Sequence, residues 1–279
     1  MIPAPFDYQR ASSVDEAIEL LRQHGEDAKL LAGGHSLLPL MKLRLAQPSV
    51  LVDIGRIADL SYVSETPADG RVLRIGALTR HHDPATSELV REQVPLLAHV
   101  AGRIGDPQVR HRGTIGGSVV HGDPASDLPA ALLALRATLV VRGPAGERTI
   151  PADEFFTGFL ETAIAPDEVL TEIRVPAVPG VGWAFEKFNR RAQDWAIVGV
   201  AAVMTDGAGG PGVGLVNMGP QPMRAAGVEE ALRAGASLGE AAARADEGTD
   251  PPTDLNGSAE YRRHLARVLV RRALETASG

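Results

Sequence analysis

A chain of 279 residues, 44% hydrophobic and 23% charged, has material for one large soluble domain or two ordinary ones. Its net charge of −7, without any basic block, argues against nucleic acid as the main partner. It has no cysteine, so it can hold no disulfide, no thiolate zinc site and no Cys-ligated iron–sulfur cluster of its own.

The start, Met1-Ile2-Pro3-Ala4-Pro5-Phe6, carries neither the basic nor the apolar region of a signal peptide. No apolar run reaches the roughly 18 residues that a membrane span needs. A cytoplasmic protein without a membrane span is expected. Ser13-Val14-Asp15-Glu16 reads as a capping box, and Ala17, Ile18 and Leu21 continue an apolar helix face that ends near His24-Gly25. Lys29, Leu30 and Leu31 then end a short buried strand. Gly33-Gly34-His35-Ser36 turns the chain into an apolar helical run over residues 37–45, and residues 50–54 form another strand. Up to about residue 55 this is a βαβ-like unit.

Residues 72–76 read as a strand after the turn Ala68-Asp69-Gly70, and residues 89–102 as one or two short helices. Residues 113–127, rich in Gly, Asp and Pro, read as a polar loop ahead of an apolar helix at 128–135. A hairpin is expected across Gly143-Pro144-Ala145-Gly146, and a further strand over 169–175. The Pro- and Gly-rich residues 176–180 mark a domain boundary. Beyond it, residues 183–189, 196–205 and 213–218 read as an antiparallel meander, followed by helices at 225–234, 238–246 and 258–276. In the last helix Val268, Leu269 and Leu274 give an apolar stripe. Arg262, Arg263, Arg267, Arg271 and Arg272 read as its solvated basic side.

The stretch Ala32-Gly33-Gly34-His35-Ser36-Leu37 carries the most chemistry. A strand that stops at paired glycines and opens a helix exposes several backbone N–H groups in one place. Glycine also lets the main chain approach a ligand with no Cβ in the way. Such a turn suits a phosphate or pyrophosphate; equally, it can be a tight strand–helix turn with no ligand. Thr114-Ile115-Gly116-Gly117-Ser118 repeats the device between an expected strand and the polar loop. Two such turns are what a long anionic cofactor needs to be gripped from two sides.

Three other motifs compete. The stretch 207–212 matches GxGxxG, but a strand follows it and not a helix, so it reads as a hairpin loop. Gly34-His35-Ser36-Leu37-Leu38 partly matches the hydrolase elbow GxSxG, with Leu38 where a small residue is needed. A serine nucleophile at Ser36 stays open as an alternative. His121, Asp123 and Asp127 offer metal-ligand chemistry, although Asp127 equally suits a helix start. The adjacent His81 and His82 point to different sides and do not chelate.

Both glycine motifs together closely resemble the two FAD-binding signatures of the medium subunit of molybdenum hydroxylases, the carbon monoxide dehydrogenase and xanthine dehydrogenase group. The resemblance runs on through Met41-Lys42-Leu43-Arg44-Leu45, Ile75-Gly76-Ala77-Leu78-Thr79, Phe155-Phe156-Thr157-Gly158-Phe159 and Phe185-Glu186-Lys187-Phe188, and covers essentially the whole chain. It implies an α+β flavoprotein with a vanillyl-alcohol-oxidase-type (PCMH-type) FAD-binding domain over residues 1–176. That domain would comprise two α/β subdomains, about 1–55 and 56–176. A C-terminal α+β domain over 177–279, with a three-stranded antiparallel sheet and helices, would cover the cofactor.

By the same resemblance, Ala32, Gly33, Gly34, His35, Ser36 and Leu37 hold the FAD pyrophosphate, and Thr114, Gly116, Gly117 and Ser118 form the second loop. Asp127 contacts the ribose part, Ile104 and Gly105 lie near the isoalloxazine, Lys187 lies near the flavin ring, and Trp195 stands beside it. The implied function is electron transfer. An iron–sulfur small subunit relays electrons from a molybdenum-cofactor large subunit, and FAD here passes them to an external acceptor. A self-sufficient FAD-dependent dehydrogenase is the alternative within the same chemistry.

Overall fold

The computed structural model describes residues 2–66, 71–205 and 209–279. The first of its sheets is parallel, with strand Val50–Asp53 between Asp7–Arg10 and Ala28–Leu31. Helix Val14–His24 makes the crossover and buries Ala17, Ile18 and Leu21. Ser13 caps it by accepting the amide of Glu16 at 3.1 Å. The Glu16 carboxylate reaches past Ser13, to the amide and hydroxyl of Ser12 at 2.7 and 2.6 Å, so half of the expected capping box is displaced by one residue. The helical run after the first glycine turn is shorter than expected, Leu37–Lys42, because Arg44 takes a left-handed φ of 59°.

The second sheet is antiparallel, in the order Val63–Thr66, Val72–Gly76, Val169–Pro176, Thr138–Gly143, Gly146–Pro151. The last two form the expected hairpin. The turn expected at Ala68-Asp69-Gly70 lies outside the described residues. Helices Glu88–Gln93 and Pro95–Gly102 pack beside this sheet, and Leu96, Leu97 and Val100 enter its core. The presumed polar loop at 113–127 is in part a helix, Ile115–His121. Two glycines weaken a helix by about 1 kcal/mol each. Here the Thr114 cap and burial of Ile115 and Val119 oppose that cost.

The third sheet runs Gly182–Phe188, Val198–Met204, Gly212–Val216 and Met223–Arg224, all antiparallel. The fourth strand, two residues long, adds to the three expected; so short a strand has no alternation to read. Of the stretch 207–212, residues 207 and 208 lie outside the described residues, and Gly212 opens a strand as the context required. Helix Ala259–Ser278 covers one face of this sheet with Leu265, Ala266, Leu269, Val270, Ala273 and Leu274. Arg262 belongs to this stripe, three and four residues before Leu265 and Ala266. It is fully buried, and only the other arginines of the supposed basic side turn outward.

Helix Asp127–Ala134, buried at every residue, lies on the other face. Its backbone touches strand Gly212–Val216 so closely that a Cβ on Gly214 would stand 2.0 Å from the Ala130 carbonyl oxygen. The helix therefore fixes Asp127, its first residue, between the second and third sheets.

Candidate functional site

The first glycine turn leaves its amides open. Gly34 has φ of +76°, a conformation that L side chains rarely adopt. Among the described residues, none accepts a hydrogen bond from the backbone N–H of Gly33, Gly34, His35, Ser36 or Leu37. The first bond after the turn runs from the Leu38 amide to the Gly34 carbonyl at 3.0 Å. A run of unpaired donors is costly unless water or a ligand takes it, and an anion does so best. His35 is exposed, and its Nδ1 meets the carbonyl of Gly33 at 3.1 Å, not the hydroxyl of Ser36.

The second glycine turn differs from the expectation. Its amides are used within the protein: Ile115 donates to Thr79 at 2.9 Å, Gly116 to Ala77 at 2.9 Å, and Gly117 to the Thr114 hydroxyl at 3.1 Å. The Ser118 amide donates to the Thr114 carbonyl at 3.1 Å. Gly116 is small for packing, since a Cβ there would stand 2.6 Å from both the carbonyl oxygen and the Cβ of Ala77. Gly117 is exposed, and its missing Cβ would point to within 3.9 Å of the Ala32 Cβ.

The two turns are nevertheless neighbours. A Cβ on Gly33 would stand 2.3 Å from the Arg112 carbonyl oxygen and 2.9 Å from the Gly113 Cα. On the far side of Gly113 sits His81, whose ring would be 2.7 Å from a Cβ placed there. His81 is buried and its Nδ1 has no hydrogen-bond partner. Burial, with the nearby charges of His35, Arg110 and Arg80, lowers its pKa to about 4. Arg110 also donates to the carbonyls of Ile104 at 2.9 Å and Gly105 at 3.2 Å, so the loop expected near the flavin ring hangs from the same group. Sequence reading passed over His81 as a non-chelator; its signal was its place beside the motif Ile75-Gly76-Ala77-Leu78-Thr79.

Asp127 and Lys187, distant in sequence, form a buried ion pair at 2.7 Å with side chains 5% and 4% exposed. Burial pushes the Asp127 carboxyl above its ordinary value, and the Lys187 ammonium draws part of that shift back. One oxygen of the pair is unused: Asp127 Oδ1 is buried without a partner. The helix ahead of it is tied in by Ser118, whose hydroxyl lies 3.1 Å from that of Ser126. Trp195 stands apart from the turns. It is 57% exposed on the wall of a separate cleft. Among the described residues no three His, Asp or Glu side chains gather as metal ligands. Asp123 instead accepts the Ala125 amide at 2.8 Å.

The comparisons with known proteins agree with this geometry. The family described as FAD binding domain in molybdopterin dehydrogenase matches residues 4–178. The CO dehydrogenase flavoprotein C-terminal domain matches residues 183–277. The chain belongs to this family of FAD-binding medium subunits. It is 46% identical to the carbon monoxide dehydrogenase medium chain of Hydrogenophaga pseudoflava, over 99% of this chain and 98% of that one. The glyceraldehyde dehydrogenase medium chain of Sulfolobus acidocaldarius is 38% identical, with 99% of each covered.

The fold matches the Hydrogenophaga pseudoflava carbon monoxide dehydrogenase structure with a TM-score of 0.95 at 46% identity, over 100% of this chain and 99% of that one. It matches quinoline 2-oxidoreductase from Pseudomonas putida 86 with 0.90 at 32% identity, over 100% and 99%. This medium subunit is thus an FAD-binding α+β flavoprotein and an oxidoreductase component, and nothing supports a serine hydrolase built on Ser36. No described helix is long and apolar enough to cross a membrane.

Proposed function

We propose that this chain works in the cytoplasm as the electron-transfer subunit of a molybdenum hydroxylase. It takes electrons from an iron–sulfur small subunit, itself fed by a molybdenum-cofactor large subunit, and passes them to an external acceptor. Two such heterotrimers associate as a dimer. The observation that carries the reading is the run of open amides from Gly33 to Leu37, set beside a buried carboxylate with an unused oxygen. Bound FAD supplies the redox chemistry.

In this reading the amides of Gly33, Gly34, His35, Ser36 and Leu37 hold the pyrophosphate, with Ala32 leading into the turn. Thr114, Gly116, Gly117 and Ser118 form the opposing wall, Gly117 giving it a surface free of Cβ. Asp127 Oδ1 accepts from a cofactor hydroxyl in the ribose part, which satisfies a group otherwise orphaned at a cost of about 1–3 kcal/mol. Lys187 keeps a positive charge near the ring and stabilises negative charge there. Ile104, Gly105 and Trp195 border the isoalloxazine. The FAD-binding domain then ends near residue 176, with subdomains meeting near residue 55.

The test is anaerobic. The purified, flavin-loaded chain is mixed with candidate substrates of co-encoded partners while the flavin absorption band is followed. Bleaching should require the partner chains, while dithionite should bleach the isolated chain. Rapid bleaching by substrate without partners would make the chain a self-sufficient flavin dehydrogenase.

A further inference from the structure

The largest cavity found among the described residues measures about 1010 Å³ and opens beside Trp195, taking in none of residues 32–37 or 114–118. It is of the size of a small-molecule site. Two aromatic side chains face it, Trp195 and Phe159, 57% and 65% exposed. In a chain only 4% aromatic, two such rings left bare around one cavity are unusual. Behind the wall lies Arg262, fully buried, which donates to the Ile197 carbonyl and to Asp254 at 2.7 Å. Its Nε is buried and has no acceptor.

The charges that line the cavity are Asp123, Asp194, Asp250 and Asp254 against Arg190, Arg191 and Arg262. Arg191 is paired with Asp194 at 3.0 Å and Arg262 with Asp254 at 2.7 Å, so Arg190 is left to face two further carboxylates. A phosphate-bearing dinucleotide would bring its negative charges against a wall that is already net acidic, which costs affinity. A neutral flat ring meets no such cost. It stacks on the aromatic faces, and its carbonyl offers the acceptor that Arg262 lacks.

We propose that this cleft binds the electron acceptor of the chain, and that the acceptor is a neutral planar quinone and not a dinucleotide. The inference rests on the reading that FAD lies beside Trp195. The quinone takes two electrons and two protons from reduced flavin and leaves as the hydroquinone, returning the flavin to its oxidised form. Trp195 and Phe159 hold the ring flat, and Arg262 fixes the wall behind it.

Two measurements on the full chain test this. In the first, menadione is titrated into the oxidised protein and tryptophan fluorescence is followed; Trp183 and Trp195 are the only tryptophans. Saturable quenching is expected, with most of it lost in Trp195→Phe and with half-saturation raised about tenfold in Phe159→Ala. NAD offered over the same range should give no saturable change. In the second, the flavin-loaded chain is reduced with dithionite under anaerobic conditions, then mixed with menadione or NAD. Menadione should reoxidise the flavin with a saturating rate and NAD should not. Saturable binding or reoxidation by NAD without any by menadione would overturn the proposal, as would Phe159→Ala with wild-type half-saturation. A sample that shows no flavin band contradicts the FAD reading, and the fluorescence titration still decides the cleft.

Discussion

The two glycine turns share one signature in sequence and do two different things in space. At Gly33-Gly34 the backbone amides face outward with no acceptor, and Gly34 adopts a left-handed φ of +76°. At Gly116-Gly117 the amides are consumed by Ala77 and Thr114, and the first glycine exists to let a helix touch a neighbouring backbone. A pair of glycines therefore announces close approach, but not what approaches. In the first turn it is a ligand; in the second it is chiefly the protein itself.

The sharpest way to break this contrast is Gly116→Val. Its side chain would enter the backbone of Ala77, which cannot swing aside as a flexible side chain can. Overpacking of this kind costs about 3 kcal/mol or more. The melting temperature should fall by several degrees whether or not flavin is added. A variant as stable as the wild type would mean that Gly116 is not there for packing.

A second, slightly smaller effect comes from His81, wedged behind Gly113 at the junction of the turns. Its pKa is lowered to about 4, mainly by burial, against an ordinary 6.5. Between those values the unfolded chain binds a proton that the folded chain refuses. Stability attributable to His81 is therefore complete above about pH 6.5 and falls as the pH drops, by about 3 kcal/mol at pH 4. Denaturant titrations at pH 7 and pH 4.5 should show this loss, and His81→Gln should lessen the slope. An unchanged slope in that variant would place the acid sensitivity elsewhere.

Much of this architecture could be read in advance, and the failures have physical causes. The strands of the second and third sheets alternate or run apolar, and prolines and glycines punctuate them, so their positions were legible. The helix at Ile115–His121 was not, because its two glycines and polar flanks look like a loop until Ile115 and Val119 are seen to be buried. The basic face assigned to Arg262 failed for a similar reason: charge alone does not show which side of a helix carries it. The Asp127–Lys187 contact joins two elements 60 residues apart, and only the fold brings them together. Family resemblance pointed to both residues, but not to their pairing.

Gly34→Val tests the ligand side of the contrast. The left-handed φ costs a β-branched residue about 1–2 kcal/mol, and the new side chain would crowd Leu38, which can move. The protein should fold, with a modest loss of stability, and purify depleted of flavin because the row of amides no longer lines up. Full flavin content in this folded variant would remove the first turn from the cofactor site.

The smallest effect, and the most discriminating, is expected from Gly117→Ala. Alanine in a helix gains up to about 1 kcal/mol over glycine. Against that, its Cβ would stand 2.7 Å from the Thr114 hydroxyl that caps the helix, so part of the cap is lost, a similar cost in the opposite direction. Net stability should stay within about 1 kcal/mol of the wild type, unlike that of Gly116→Val one residue earlier. The same Cβ points toward Ala32, into the space between the two turns. If the cofactor lies there, flavin affinity should fall about tenfold, equivalent to roughly 1.4 kcal/mol. Equilibrium dialysis of FAD against the two variants, with melting curves beside it, separates the roles. Wild-type affinity in Gly117→Ala would mean that the second turn never meets the cofactor, and that both of its glycines serve only to bring the first turn into place.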